Sequence, residues 1–217
     1  LRESGNFVGT TRYPTLKIFS ANSEVKIWNG DTVKPCVGKG TEEEPYMIYS
    51  AEEFAYAVRN GGNSKFYRMA DNIYLNDISE IDWVTGESTS DYAVNQWYTD
   101  ADTDAFNSSI DGDGYVIYGL YYKNTENSDA SVGLIPSLSS NGETVNIKNI
   151  GLESSYIETS GYAAAFVSKA NWNNTLNITC CFVGERVTIK GNTASAFYSY
   201  GGSVAKIDGC YSFCLLY

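Results

Sequence analysis

The sequence predicts an all-β repeat fold, a solenoid of about four stacked rungs preceded by a small α+β cap with one helix. Two recurring patterns indicate it. In the first, Gly133-Leu134-Ile135-Pro136 recurs as Ala165-Phe166-Val167-Ser168 and as Ala196-Phe197-Tyr198-Ser199. In the second, Ile147-x-x-Ile150-x-Leu152 recurs in altered form at Ile178 and at Ile207. Two independent patterns that share a period of about 30 residues are typical of stacked supersecondary units.

Composition and charge exclude several classes of function. The 217-residue chain has a net charge of −11, which disfavours nucleic acid and anionic membrane surfaces because both are bound through Lys and Arg. No apolar stretch is long enough to span a bilayer, so we expect no membrane insertion. The sequence contains no histidine, which removes the commonest general base and metal ligand. Its five cysteines form no C-x-x-C pair, which disfavours a zinc cluster.

Three segments are expected along the chain: an extended N-terminal segment (1–40), a cap with a helix and a long loop (41–104), and the parallel repeats (105–217). In the cap, Ser50-Ala51-Glu52-Glu53 is a capping box that starts the helix. Asn60-Gly61-Gly62 ends it. Trp97 lies in a long polar loop, and we expect its indole to pack into the core because of the area it can bury.

The alignment of the rungs predicts which side chains point inward. Phe106 is expected to begin the first rung, in the position of Leu134. The expected inward positions are Ile117, Ile147, Ile178 and Ile207, and the expected outward column is Tyr121, Gly151, Phe182 and Tyr211. Cys181 and Cys210 are then stacked neighbours, and we expect buried free thiols there rather than a disulfide.

A resemblance to known repeats rests on three stretches: Gly133-Leu134-Ile135 with its two later copies, Ile207-Asp208-Gly209-Cys210-Tyr211, and the segment 110–120. They are similar to the GLUG-motif repeats of secreted bacterial β-helix proteins, in which a segment like 40–48 precedes the coil. The resemblance covers about residues 38–213. It implies a right-handed parallel β-helix of the pectate-lyase-like type, outside the cell or on its surface, as one module of a larger adhesin or carbohydrate-related protein. This chain departs from the pattern at Ala165 and Ala196, which replace glycine.

A candidate metal site lies at Asp111-Gly112-Asp113-Gly114. Asp111 and Asp113 could hold calcium through carboxylate and carbonyl oxygens. The alternative is a tight turn that enters the following strand, for which Asp and Gly are typical residues. An EF-hand would need a Glu at position twelve, and Tyr122 stands there, so the turn is favoured. No other cofactor is expected.

The candidate ligand-binding residues are all aromatic. They are Tyr118, Tyr121, Trp172, Phe182 and Tyr211. Planar rings beside polar groups suit the faces of sugars, which carry C–H patches. Columns of stacked aromatic side chains also stabilise parallel strands without any ligand.

Three functions therefore stay open. The first is a non-catalytic extracellular module for surface adhesion or carbohydrate binding, with a glycan or a surface protein as partner. The second is a polysaccharide lyase or glycoside hydrolase, although the carboxylates of the rungs do not cluster as a hydrolase requires. The third is a structural stalk. We also expect the apolar C-terminal residues 212–217 to be covered by further sequence or by another chain, because an open β-helix end exposes unpaired strand edges.

Overall fold

The computed structural model describes residues 25–62, 64–98, 105–139, 142–170 and 173–217. These residues form one α-helix and 23 short β-strands, and most of the strands build a parallel β-solenoid. The predicted all-β parallel β-helix with a small helical cap is therefore confirmed. No helix in the described ranges has the length and apolar character needed to cross a membrane.

The cap contains the helix and five short strands. Its elements are β1 (Tyr46–Ile48), α1 (Ala51–Arg59), β2 (Phe66–Met69), β3 (Ile73–Tyr74), β4 (Ile81–Asp82) and β5 (Glu87–Ser88). Ser50 caps α1 as predicted, because its hydroxyl oxygen accepts a hydrogen bond from the backbone N–H of Glu53. The Glu53 carboxylate in turn accepts one from the backbone N–H of Tyr49. The helix ends at Asn60, its C-cap residue.

The solenoid has three complete rungs of five strands and a partial fourth rung. Rung 1 consists of β6 (Ser109–Asp111), β7 (Val116–Tyr118), β8 (Tyr121–Asn124), β9 (Ser131–Val132) and β10 (Ile135–Leu138). Rung 2 consists of β11 (Thr144–Lys148), β12 (Gly151–Glu153), β13 (Ser155–Thr159), β14 (Tyr162–Ala164) and β15 (Val167–Ala170). Rung 3 consists of β16 (Thr175–Thr179), β17 (Phe182–Val183), β18 (Val187–Lys190), β19 (Thr193–Ser195) and β20 (Tyr198–Gly201). Rung 4 consists of β21 (Val204–Asp208), β22 (Tyr211–Ser212) and β23 (Leu215–Leu216).

Strands in equivalent positions of successive rungs pair in parallel and form five sheets. Sheet 1 has the order β1-β2-β6-β11-β16-β21, and sheet 2 has the order β3-β7-β12-β17-β22. Sheet 3 is β8-β13-β18-β23, sheet 4 is β9-β14-β19, and sheet 5 is β10-β15-β20. The antiparallel β4–β5 hairpin stands apart from them. Because β1, β2 and β3 extend sheets 1 and 2, the cap and the solenoid share two sheets.

The core runs through the centre of the rungs and continues into the cap. Ile110, Ile147 and Ile178 stack in register in sheet 1 and are fully buried. Ile207 follows in the same ladder but is 49% exposed. Among the described strands β21 pairs only with β16, so no further rung covers Ile207 on the other side. Trp97 is buried as predicted, and its indole N–H donates to the backbone oxygen of Leu134, 3.1 Å away.

The register corrects the predicted alignment of the first rung. Ile147 pairs with Ile110 and not with Ile117, which pairs instead with Leu152. The cause is the greater length of two links in rung 1. The β8–β9 link has six residues (125–130) against two (160–161) in rung 2, and the β6–β7 link has four (112–115) against two (149–150), so an alignment of constant spacing fails for the first strands of the rung.

Phe106 also lies in a different position from the one predicted. It forms an isolated parallel bridge with Leu138, at the end of β10 in sheet 5. Leu138 is four positions beyond Leu134, the predicted equivalent of Phe106. The residues equivalent to Leu134 in rungs 2 and 3 are Phe166 and Phe197, whose ring centroids lie 5.7 Å apart in a stacked arrangement. Leu134 and Phe166 are fully buried, so this repeated motif serves the core.

Cys181 and Cys210 are neighbours in successive rungs and both are free thiols, as predicted, but only Cys181 is buried, and Cys210 in the last rung is partly exposed. The backbone N–H of Cys181 points at the Cys210 sulfur at 3.4 Å. Burial raises the pKa of the Cys181 thiol to about 12, so it stays protonated and behaves as a small apolar side chain.

Candidate functional site

The outward face of sheet 2 brings aromatic side chains together. In sheet 2 one register row, which includes Ile117, Leu152 and Val183, points inward, and the residues on either side of that row point outward. The register therefore produces two outward columns. The first column is Val116, Gly151, Phe182 and Tyr211, and the second is Tyr74, Tyr118 and Glu153.

The first column ends in a parallel pair of rings. Phe182 and Tyr211 stack with centroids 5.5 Å apart and an interplanar angle of 7°. Tyr211 is 54% exposed, and Phe213 packs against its edge at 5.7 Å. Gly151 makes this arrangement possible, because a Cβ there would lie 2.3 Å from the Cζ atom of Phe182. The absence of a side chain at Gly151 thus leaves room for the edge of the phenyl ring.

The second column combines stacked tyrosines with a carboxyl group. Tyr74 and Tyr118 stack at 4.8 Å and 10°, and Glu153 follows Tyr118 on the next strand. The Glu153 carboxylate occupies the space above Gly184. A Cβ added at Gly184 would lie 1.2 Å from Oε2 of Glu153. Burial raises the pKa of Glu153, and a backbone N–H and the positive charge of Arg186 offset this only in part.

A shallow cavity of about 390 Å³ adjoins the ring pair at the corner between sheets 1 and 2. Asp113, Asn149 and Cys180 line it together with Phe182 and Tyr211. The corner thus places amide, carboxylate and backbone groups beside a pair of stacked apolar rings. This combination can hydrogen-bond a polar ligand while one of its faces packs on the rings.

Three of the five aromatic residues predicted as ligand contacts share this face: Tyr118, Phe182 and Tyr211. Tyr121 does not, and its predicted place in the Phe182 column is wrong. It lies in sheet 3, where it pairs with Tyr156 and stacks on it at 5.8 Å. Tyr121 is buried, and its hydroxyl donates to the backbone oxygen of Gly86. The longer links of rung 1 account for this error as well, because Tyr121 pairs with a residue 35 positions on and not with Gly151, 30 positions on.

Trp172 falls outside the described residues, so its predicted contact stays a prediction. The sequence pattern did not predict a role in the site for Tyr74, for Glu153 or for the spaces above Gly151 and Gly184. One signal could have revealed Tyr74, because the dipeptide Ile73-Tyr74 recurs as Ile117-Tyr118 and the two copies pair in register.

The Asp111–Gly114 stretch forms a turn. Asp113 and Gly114 have positive φ angles of 50° and 87°, and Asp111 Oδ1 accepts a hydrogen bond from the backbone N–H of Asp113. The charge of Asp111 is compensated by Lys148 at 3.3 Å and Arg68 at 3.6 Å. Within the described ranges no group of three Cys, Asp or Glu residues is placed to hold a metal ion. These contacts favour the turn interpretation of the motif.

Comparison with known proteins gives little further information. No protein-family model matches the chain, and no curated protein matches it. A crystal structure described as "a putative immunoglobulin A1 protease from Bacteroides ovatus" aligns with 81% of this chain and 77% of its own. The identity is 13% and the TM-score is 0.25, values too low to transfer an activity.

Proposed function

We propose that this chain is a non-catalytic, extracellular β-helix module of bacterial GLUG type that binds carbohydrate through the outward face of sheet 2. The observation that carries the proposal is the parallel Phe182–Tyr211 pair, whose outer ring is exposed. The exposed Tyr211 ring, held in place by its stack on Phe182, offers an apolar ring surface that suits the C–H face of a sugar. Glu153 and the groups of the adjoining corner provide hydrogen-bond partners for hydroxyls.

The scaffold supports such a role because it holds the rings rigidly. Phe182 and Tyr211 stand on adjacent paired strands, so their spacing is set by the strand pairing of the sheet. Rings held in place before binding lose little conformational freedom when a ligand packs on them. A partner on a cell or matrix surface is consistent with the adhesion role that the resemblance implies.

The direct test is a glycan array combined with retention on polysaccharide gels, using the whole chain and its Tyr211→Ala variant. We expect the wild type to bind at least one glycan class and Tyr211→Ala to lose most of that signal. Tyr49→Ala is the matched control, because Tyr49 is also 54% exposed but lies in the cap. Absence of binding to plant, microbial and host glycans would refute the carbohydrate proposal and favour adhesion to a protein.

A second candidate function, polysaccharide cleavage, is supported by the raised pKa of Glu153. A carboxyl whose pKa is raised above its ordinary value is a better general acid beside a bound sugar than an unperturbed one. Cleavage predicts that polysaccharides retained by the wild type release reducing ends or unsaturated uronates, and that Glu153→Gln abolishes the release. No release by either protein, with calcium present, would exclude this candidate.

A further inference from the structure

The cavity beside the Phe182–Tyr211 pair carries a negative charge. Among the described residues that line it, Asp113 is the only charged one. Its side chain is exposed, and no described residue forms an ion pair or a hydrogen bond with its carboxylate. Lys148 directly precedes a lining residue in the sequence, but its ammonium lies 3.3 Å from Asp111 and is held there. The cavity therefore presents one carboxylate without a described partner.

The turn that carries Asp113 is fixed against rung 2. The backbone N–H groups of Gly112 and Gly114 donate to the backbone oxygens of Lys148 and Asn149, at 2.7 and 3.0 Å. A Cβ at Gly112 would lie 2.4 Å from the Asn149 backbone oxygen, so the turn can come this close only with glycine there. Asp113 is thus held at the corner in a defined position while its side chain stays exposed.

The polar groups that remain available at this corner are mainly hydrogen-bond acceptors. The Asn149 amide nitrogen donates to Asp111 Oδ1 at 2.9 Å, and the amide oxygen is the atom left without a described partner. The Asp113 carboxylate can only accept, and the Cys180 thiol adds a weak donor. An ammonium group has three donors and no acceptor, so it suits these two oxygens. A ligand carboxylate has only acceptors and would be repelled by Asp113.

The cavity extends along the axis of the solenoid. Asp113 belongs to rung 1 and Tyr211 to rung 4, which are three strand spacings apart, about 14 Å. Both residues line the cavity, and Gly151, which has no side chain, lies between them in rung 2. A ligand that contacts both ends is therefore longer than one sugar ring. The exposed Tyr211 ring can accept a C–H face or an ammonium, since cations also bind over aromatic rings.

We propose that the sheet 2 face binds an oligosaccharide that contains unacetylated amino sugars. This inference rests on the carbohydrate-binding role proposed above and names the class of its ligand. One ring packs on Tyr211, and the ammonium of another ring donates to the Asp113 carboxylate and the Asn149 amide oxygen. The same site selects against uronates, because no cation in the described lining compensates a ligand carboxylate beside Asp113.

The test is calorimetric titration of the whole chain with three trisaccharides at equal ionic strength. They are the β-1,4-linked trimers of D-glucosamine and of N-acetyl-D-glucosamine, and the trimer of D-galacturonate. We expect the glucosamine trimer to bind about fivefold more tightly than its N-acetylated counterpart, the scale of one exposed charge pair. The galacturonate trimer should bind most weakly.

The outcomes separate this inference from the proposed function. Equal affinity for the glucosamine and N-acetylated trimers, or tightest binding of galacturonate, would overturn the amino-sugar assignment and leave carbohydrate binding intact. Absence of binding to all three would overturn the assignment as well. If the glycan array also shows no binding, the carbohydrate-binding role itself fails.

Charge-matched variants separate a specific contact from general attraction to a chain of net charge −11. Asp113→Asn should reduce the affinity for the glucosamine trimer to that for the N-acetylated trimer, which it should leave unchanged. Asp129→Asn is the control, because it removes an exposed carboxylate from another link of rung 1, outside the cavity. Tyr211→Ala should weaken the binding of both trimers. Equal loss of affinity in Asp113→Asn and Asp129→Asn would indicate charge attraction alone and overturn the proposal.

Discussion

Asp111 and Glu153 carry the same type of group on neighbouring sheets, yet their surroundings shift their pKa values in opposite directions. Burial alone would raise the pKa of Asp111, but hydrogen bonds from the Asn149 amide and the Asp113 backbone, together with Lys148, lower it. For Glu153 burial outweighs its partners, and the pKa rises. The first carboxyl therefore stabilises the fold as an anion, whereas the second is more readily protonated.

Asp111→Asn should lower the free energy of unfolding at pH 7 by about 1–3 kcal/mol, the range for charged hydrogen bonds. Because the folded pKa of Asp111 lies below its ordinary value of 3.8, its stabilisation is present above that value and is lost as the pH falls through the folded pKa. Urea unfolding at pH 7, 5 and 3 should therefore show a difference from wild type that shrinks only below about pH 4. Asp208→Asn, in the same column but exposed, is the control. A difference that is constant down to pH 3 would contradict the assigned contacts.

The sequence identified individual residues well where local chemistry decides their role. Ser50 and Trp97 take the predicted positions, and Phe182 and Tyr211 form the predicted pair. The Arg68–Asp111 contact was not predictable in the same way. It joins residues 43 positions apart along the chain, on β2 and β6, and no local sequence pattern specifies the register of that strand pair.

At the scale of the strand, Gly151 controls the shape of the candidate site. Its backbone is paired on both sides, to Val116 in β7 and to Phe182 in β17. Only the absence of a side chain leaves room for the Phe182 ring. A sequence pattern shows a glycine in the column, but the way the neighbouring ring fills its space appears only in the structure.

Gly151→Ala should weaken glycan binding while leaving the fold intact. The new Cβ would lie 2.3 Å from the Phe182 ring, so the ring must shift, and this disturbs its parallel contact with Tyr211. Near-UV circular dichroism should report the change in ring packing, and titration should report the loss of affinity. Gly62→Ala is the control, because its added Cβ would come no closer than 3.4 Å to another atom. Unchanged ring signals and unchanged affinity would show that Phe182 is not held as described.

At the scale of the whole molecule, each rung is stabilised by the rungs on either side of it. β16 pairs with β11 and with β21, whereas β21 pairs with β16 alone among the described strands. Side chains that are buried in rung 3 are therefore exposed in rung 4, as the change from Ile178 to Ile207 shows. Stability in a stacked array depends on such nearest-neighbour contacts.

Hydrogen exchange should be slower in rung 3, whose strands are paired on both sides, than in rung 4. Peptides that cover β21 and β22 should exchange at least tenfold faster than those that cover β16 and β17, because they have one neighbouring strand and an exposed apolar face. Mass-spectrometric exchange at pH 7 measures the difference directly. Equal protection in both rungs would show that another chain or segment covers the end of the solenoid.

The repeat period predicted the architecture because stacked rungs need the same apolar residues at the same place in each rung. It did not predict the length of individual links, since surface turns such as 112–115 tolerate extra residues without disturbing the core. The candidate sites lie where these links and the outward columns meet. For this reason the sequence predicted the solenoid more completely than it predicted the sites.

The central claim is that the Phe182–Tyr211 pair binds a sugar ring, and calorimetric titration with the best glycan from the array tests it most directly. The wild type, Phe182→Ala, Tyr211→Ala and the Tyr49→Ala control should be compared under identical conditions. Loss of one stacking ring is worth about 1–2 kcal/mol, so each site variant should bind about five- to thirtyfold more weakly, with the control unchanged. Dissociation constants that are the same in all four proteins would contradict the claim.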